Sequence, residues 1–293
     1  MKSILKNPPA YVVLLAVIPS ATTAIWVRLS DAPSLAVASW RMIFSTILCI
    51  PFLIIERKEL KNVSKRDFLL CILSGFFLAL HFATWLAAIN LTTVAAAASL
   101  VATAPIFVAI INAVMFRKKP GRVMILSLLA AITGSIIIAF GGGNASLGSL
   151  NGNILAVTGA ITAAAYLVMG SFVRKTVTSG IYVSIVFAIS ALFLSLFCIV
   201  AGIPFAPYSS NTYLAIFAMA VFCSIGGHVM FNWLIKFHGA MLISLAILSE
   251  PVFASIYAFF LFDEIPSIAT IFGAAMIILG LSYYIRKGQE QLN

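Results

Sequence analysis

The chain has 293 residues, of which 62% are hydrophobic and only 9% charged, with a mean hydropathy of +1.13. A soluble domain is roughly 45–50% apolar and about 25% charged. Too little polar surface exists here to cover a water-exposed globule, which excludes a soluble enzyme, a disordered chain and a nucleic-acid-binding domain. The formal net charge of +10 takes its meaning from where the basic residues lie.

A membrane-spanning helix needs about 20 apolar residues. Windows bounded by charges, Pro, Gly and Asn predict ten spans, at roughly 10–29, 33–55, 67–89, 92–116, 122–141, 150–172, 180–202, 212–236, 240–262 and 266–285. The runs are continuously apolar and lack the alternation of barrel strands, so they read as helices whose backbones satisfy themselves in hydrocarbon. The expected fold class is an all-α integral membrane protein with ten transmembrane helices.

Lys2 and Lys6 precede span 1, and together with the apolar run from Tyr11 they imitate a signal peptide. The run continues through Trp26 and is matched by a later segment, so it is expected to stay as a span. Span 1 carries Trp26 and, at its end, Arg28; span 2 carries Arg41. Arg57, Lys58, Lys61, Lys65 and Arg66 separate spans 2 and 3. Span 3 places His81 and Trp85 four residues apart, on one helical face. Span 4 carries Ser99, Thr103 and Pro105 and leads to Arg117, Lys118, Lys119 and Arg122. Span 5 contains Ala130-x-x-x-Gly134, a spacing that permits close helix contact. Gly141-Gly-Gly143 lacks the GK[ST] of a phosphate loop and reads as a flexible turn. Span 6 carries Tyr166 and is followed by Arg174 and Lys175. Span 8 places His228 and Asn232 four apart, with Trp233 one step around and Lys236 after it. Span 9 carries Ser249 and Glu250 before Pro251, and Arg286 and Lys287 follow span 10. Cys49, Cys71, Cys198 and Cys223 each sit in an apolar run without ligand spacing and read as small core residues.

Sixteen of the 18 Lys and Arg residues fall on one side of these ten spans, whereas the opposite connections, 141–153 and 204–211 among them, hold none apart from Arg28 at the end of span 1. By the positive-inside rule both termini are expected in the cytoplasm of a multi-pass cytoplasmic (inner) membrane protein.

An offset of 146 residues aligns the chain with itself: Arg28 falls on Arg174, Pro105 on Pro251, Phe107 on Phe253, Phe116 on Phe262, Pro120 on Pro266 and Gly134 on Gly280. Each half holds five spans, an odd number, so the second enters the membrane from the opposite side. The expected domains are a first five-helix repeat, 1–146, and an inverted second one, 147–293. Inverted repeats are the architecture of secondary transporters, with the substrate site near the midplane between the halves.

The ten spans as five plus five, with Ser99-Leu-Val-Ala-Thr-Ala-Pro105 in span 4 and Leu248-Ser-Glu-Pro-Val252 in span 9, resemble the EamA family of the drug/metabolite transporter superfamily. Asp263-Glu264, Arg41 and His81-Phe-Ala-Thr-Trp85 look like family positions as well. One departure is Phe116-Arg-Lys-Lys119, where many members carry a Glu. The resemblance covers essentially the whole chain. It implies export or exchange of small metabolites, such as amino acids or related compounds, by alternating access, with a cavity walled by spans 1, 3, 4, 6, 8 and 9.

Ionisable groups inside a bilayer are costly, at about 2.5–3.5 kcal/mol on insertion scales, and so mark the bundle interior or an aqueous cavity. Arg41, His81, His228 and Glu250 are such groups. Glu250 is read either as a substrate or proton site beside a proline-opened helix or as a neutral or Arg41-paired carboxyl that holds helices together. Arg41 is read either as a scaffold contact or as a bidentate grip on a substrate carboxylate. His81 and His228 are expected at matching depths from opposite sides. Trp85, Trp233, Trp26 and Tyr166 are candidate cavity walls offering cation–π faces. Ser99, Thr103, Ser249 and Asn232 complete the candidate substrate residues, although Ser and Thr in such helices often bond their own backbone.

The leading function is a secondary transporter, since no ATP-binding motif is present. An uncoupled, channel-like facilitator stays open. An intramembrane enzyme is a remote third, because one Glu and two separated His form thin catalytic equipment. The expected partners are a small-molecule substrate, protons as candidate coupling ion, the lipid bilayer and a second copy as candidate homodimer. No nucleic acid, cofactor, metal site or catalytic residue is expected.

Overall fold

The computed structural model describes residues 8–92, 94–117, 120–140, 149–263 and 265–288, and these are helical without a strand among them. Lys2, Lys6, Lys118, Lys119, Gly141–Gly143 and Glu264, singled out above, lie outside the described residues. Nine described helices are long and apolar enough to cross a membrane, and a shorter apolar one covers Glu250–Leu261. The longest, Ser210–Ile247, contains spans 8 and part of 9: Gly239 breaks it with φ 73°, a left-handed conformation that a glycine adopts without steric cost. The ten predicted spans are therefore all present.

Three spans are broken within the bundle. Span 1 divides into Leu14–Ser20 and Thr23–Arg28, with Pro19 inside the first piece. Span 4 divides into Val94–Val101 and Ala104–Phe116. Span 9 divides into 240–247 and Glu250–Phe262. The last two breaks match at the 146-residue offset, down to the left-handed caps at Arg117 (φ 53°) and Asp263 (φ 54°). The sequence reading has Pro251 itself opening a continuous helix. Instead the chain breaks one step earlier, at 248–249, and Pro251 sits in the first turn of a new helix. There its missing N–H has no intrahelical partner to lose. Pro105 does the same in span 4.

The halves meet as inverted copies. Spans 5 and 10 cross so closely that a Cβ on Gly134 would lie 2.5 Å from the Gly273 carbonyl oxygen, and one on Gly273 would lie 2.5 Å from that of Gly134. The offset sends this pair to Gly280 and Ser127, and a Cβ on Gly280 would lie 2.9 Å from the Ser127 oxygen. One contact thus recurs on both sides of a pseudo-two-fold axis. Spans 2 and 7 pack together across the same axis, span 3 lies along span 6, and span 1 lies along span 8. Span 8 departs from α-geometry over Ala220–Val229, a π-helical stretch. Its Gly226 and Gly227 admit Pro19 and Ser20: a Cβ on Gly227 would come within 2.8 Å of the Ser20 Cβ.

Candidate functional site

Arg41 stands seven residues into Ser34–Ile55 and is only 4% exposed. Its Nε donates to Ser224 Oγ at 3.0 Å, from the π-helical stretch of span 8, and its guanidinium carbon lies 5.2 Å from the centre of the Phe82 ring. Its Nη2 is buried with no hydrogen-bond partner. A buried donor left unsatisfied costs about 1–3 kcal/mol, more when charged, so this atom is conspicuous. Arg41 and Phe82 also line a cavity of about 170 Å³, together with Thr23, Val37, Trp85 and Met219 among others. The cavity opens at the end of the bundle that carries the 29–33 connection, since Ser30 and Ala32 form its rim.

Glu250 begins the second helix of span 9 and is half-buried. Its Oε1 accepts a hydrogen bond from Ser20 Oγ at 2.5 Å. No salt bridge joins it to Arg41 among the described residues; each is held by a serine of another span. The two charges thus act on each other through space while each is anchored separately.

The sequence reading expects the histidines at matching depths, and in the repeat they stand one residue out of register. At the 146-residue offset His228 answers to Phe82, and those two rings lie tilted at 60° with centroids 6.2 Å apart. His81 bonds through Nδ1 to the Gly159 carbonyl of span 6 at 2.9 Å and stacks over Trp85 at 6.1 Å. Tyr166 is buried, and its hydroxyl accepts from Asn232 Nδ2 at 2.7 Å; the same nitrogen donates to the His228 carbonyl of its own helix. Below it, Arg174 is buried just past span 6. Its Nε donates to the Asn232 carbonyl at 2.8 Å and its Nη1 to the Val177 carbonyl. Burial lowers its guanidinium from 12.5 to about 10, still charged at neutral pH. This chain ties spans 6 and 8 together at the end opposite the cavity mouth.

The remaining candidates scatter. Trp26 stacks on Phe222 at 5.7 Å and donates to Thr22, and Trp233 packs edge-on against Phe237. Thr103 bonds its own backbone at the Leu100 carbonyl, whereas Ser99 and Ser249 are buried hydroxyls without partners. Spans 4, 6 and 9 contribute nothing to the lining of this cavity, which spans 1, 2, 3 and 8 form. The sequence reading overlooked Ser20, Phe82 and Ser224. The signal for the first was Pro19 within an apolar run, opposite a Gly-Gly pair of span 8 that invites close approach.

The model of the EamA-like transporter family matches the chain twice, over residues 8–140 and 150–286. An uncharacterised transporter of Archaeoglobus fulgidus is 22% identical over 270 residues, spanning 90% of this chain and 92% of the other. A solved crystal structure superposes with a TM-score of 0.78 at 15% identity, covering 97% of this chain and 98% of that one, a likeness of fold. With one copy of the family on each half of an all-helical, inverted-repeat bundle, the chain belongs to the EamA-like transporter family, as a multi-pass membrane transporter of the drug/metabolite type.

Proposed function

We propose that this protein is a secondary transporter that exports small organic metabolites, amino acids or related compounds, across the cytoplasmic membrane by alternating access. The observation that carries the reading is one-sidedness. A cavity opens at one end between spans 1, 2, 3 and 8, while Arg174, Asn232 and Tyr166 bridge spans 6 and 8 at the other. Under the charge asymmetry the open end faces outward, with both termini in the cytoplasm. Rocking one inverted half against the other would exchange the open and closed ends. Glu250 is the proton-coupling candidate: it is half-buried and held by one serine on a neighbouring broken span. The test is counterflow in proteoliposomes, with and without a proton gradient. Saturable exchange driven uphill by the gradient supports the reading. Exchange that never exceeds equilibrium assigns the uncoupled facilitator, and no flux of any organic metabolite defeats both. Cysteine labelling gives the orientation, with Ser146→Cys expected to react from outside and Lys61→Cys only from inside.

A further inference from the structure

We propose that the Arg41 end of the outer cavity is a carboxylate subsite and that the preferred ligand is a compact organic acid with an apolar or aromatic body. The assignment names the substrate class of the transporter reading and rests on it. Three observations meet at this point. Arg41 is 4% exposed, it spends Nε on Ser224, and its Nη2 has no partner. Glu250, the nearby acid, is anchored on Ser20 and acts on the guanidinium only through space, with no salt bridge between them among the described residues, so the unbonded guanidinium nitrogen is left for another acceptor. The walls beyond it are Phe82, Trp85, Leu86, Val37 and Met219, an apolar slot for the rest of the ligand.

A buried cation without a contacting countercharge is expensive, and an incoming carboxylate repays the cost by accepting from the free N–H groups in the two-pronged geometry that a guanidinium offers. Phe82 beneath the guanidinium holds its plane, as cation–π contacts do. Besides Arg41, the polar side chains of the lining are the hydroxyls of Thr23, Ser30 and Ser34, so the lining offers no second charge for a cationic group. At about 170 Å³ the cavity falls below the ~300–1,000 Å³ of sites for drug-sized ligands. That size favours a single-ring or short-chain acid.

The experiment measures binding to the purified full chain in nanodiscs by calorimetry, with 3-phenylpropionate and its uncharged amide as probes. The acid is expected to bind saturably and the amide at least about tenfold more weakly. Arg41→Gln should weaken the acid by about tenfold or more while leaving the amide unchanged, and Trp85→Ala should weaken both. Equal affinity for acid and amide, no binding of the acid, or unaltered acid binding in Arg41→Gln overturns the assignment. The acid-to-amide ratio on the unaltered protein decides the question even if Arg41→Gln does not fold. Because the readout is affinity and not flux, loss of the carboxylate preference with intact counterflow sinks the subsite alone. Binding without counterflow sinks the transporter reading instead.

Discussion

Position 104, at the head of the helix Ala104–Phe116, is an alanine; its counterpart at the head of Glu250–Phe262 is a glutamate. The same holds across the site. At the 146-residue offset Arg41 answers to Phe187, Ser20 to Tyr166, Ser224 to Leu78 and His81 to Gly227. The backbones of the halves match in the breaks of spans 4 and 9, in their left-handed caps and in their glycine crossings, whereas the break of span 1, the π-helical stretch of span 8 and the buried charges occur in one copy only. Close packing and helix termini depend on shape and are repeated, while a buried charge is costly and is kept where a task offsets it. The lesson is that symmetry here belongs to the scaffold and asymmetry to the site.

Three experiments can break or sharpen that contrast. The largest effect is expected at the crossing of spans 5 and 10. Gly134→Val and its repeat counterpart Gly280→Val should each cost about 1–3 kcal/mol through overpacking against backbone that cannot move aside. Thermal unfolding in detergent should show similar losses for the two; a large loss at one and none at the other would break the pseudo-symmetry. Next come Arg28 and Arg174, aligned but in different surroundings. Arg174→Gln removes a buried donor to the Asn232 and Val177 carbonyls and should destabilise by about 1–3 kcal/mol. Arg28→Gln, at an exposed position, should stay within about 0.5 kcal/mol. The smallest stability effect, though a functional one, is expected at Glu250. Glu250→Gln should preserve exchange and lower gradient-driven accumulation by about tenfold, equivalent to ~1.4 kcal/mol of coupling. Ala104→Ser should leave both unchanged. If Glu250→Gln stays fully gradient-driven, the carboxyl carries no proton in the cycle. Arg41→Met should not restore what Glu250→Gln loses, because the two charges are anchored on different serines.

By itself the sequence determined the class, the number of spans and the twofold repeat. Hydropathy and charge act over whole segments, and helix-breaking prolines stay visible whatever the tertiary fold: Pro105 and Pro251 announced the paired breaks in spans 4 and 9. It also marked Arg41 and Glu250, because a charge in a twenty-residue apolar run cannot hide. Only the tertiary structure decided which groups meet. The sequence leaves open whether Glu250 faces Arg41 or Ser20, since both lie more than 200 residues away in the chain. The answer came from Gly226 and Gly227 drawing span 1 against span 8, and from a π-helical stretch that resets the facing of every residue after it. Side-chain direction in a packed bundle is set by helix rotation and by the smallest residues at each crossing, and neither quantity is written in the local sequence.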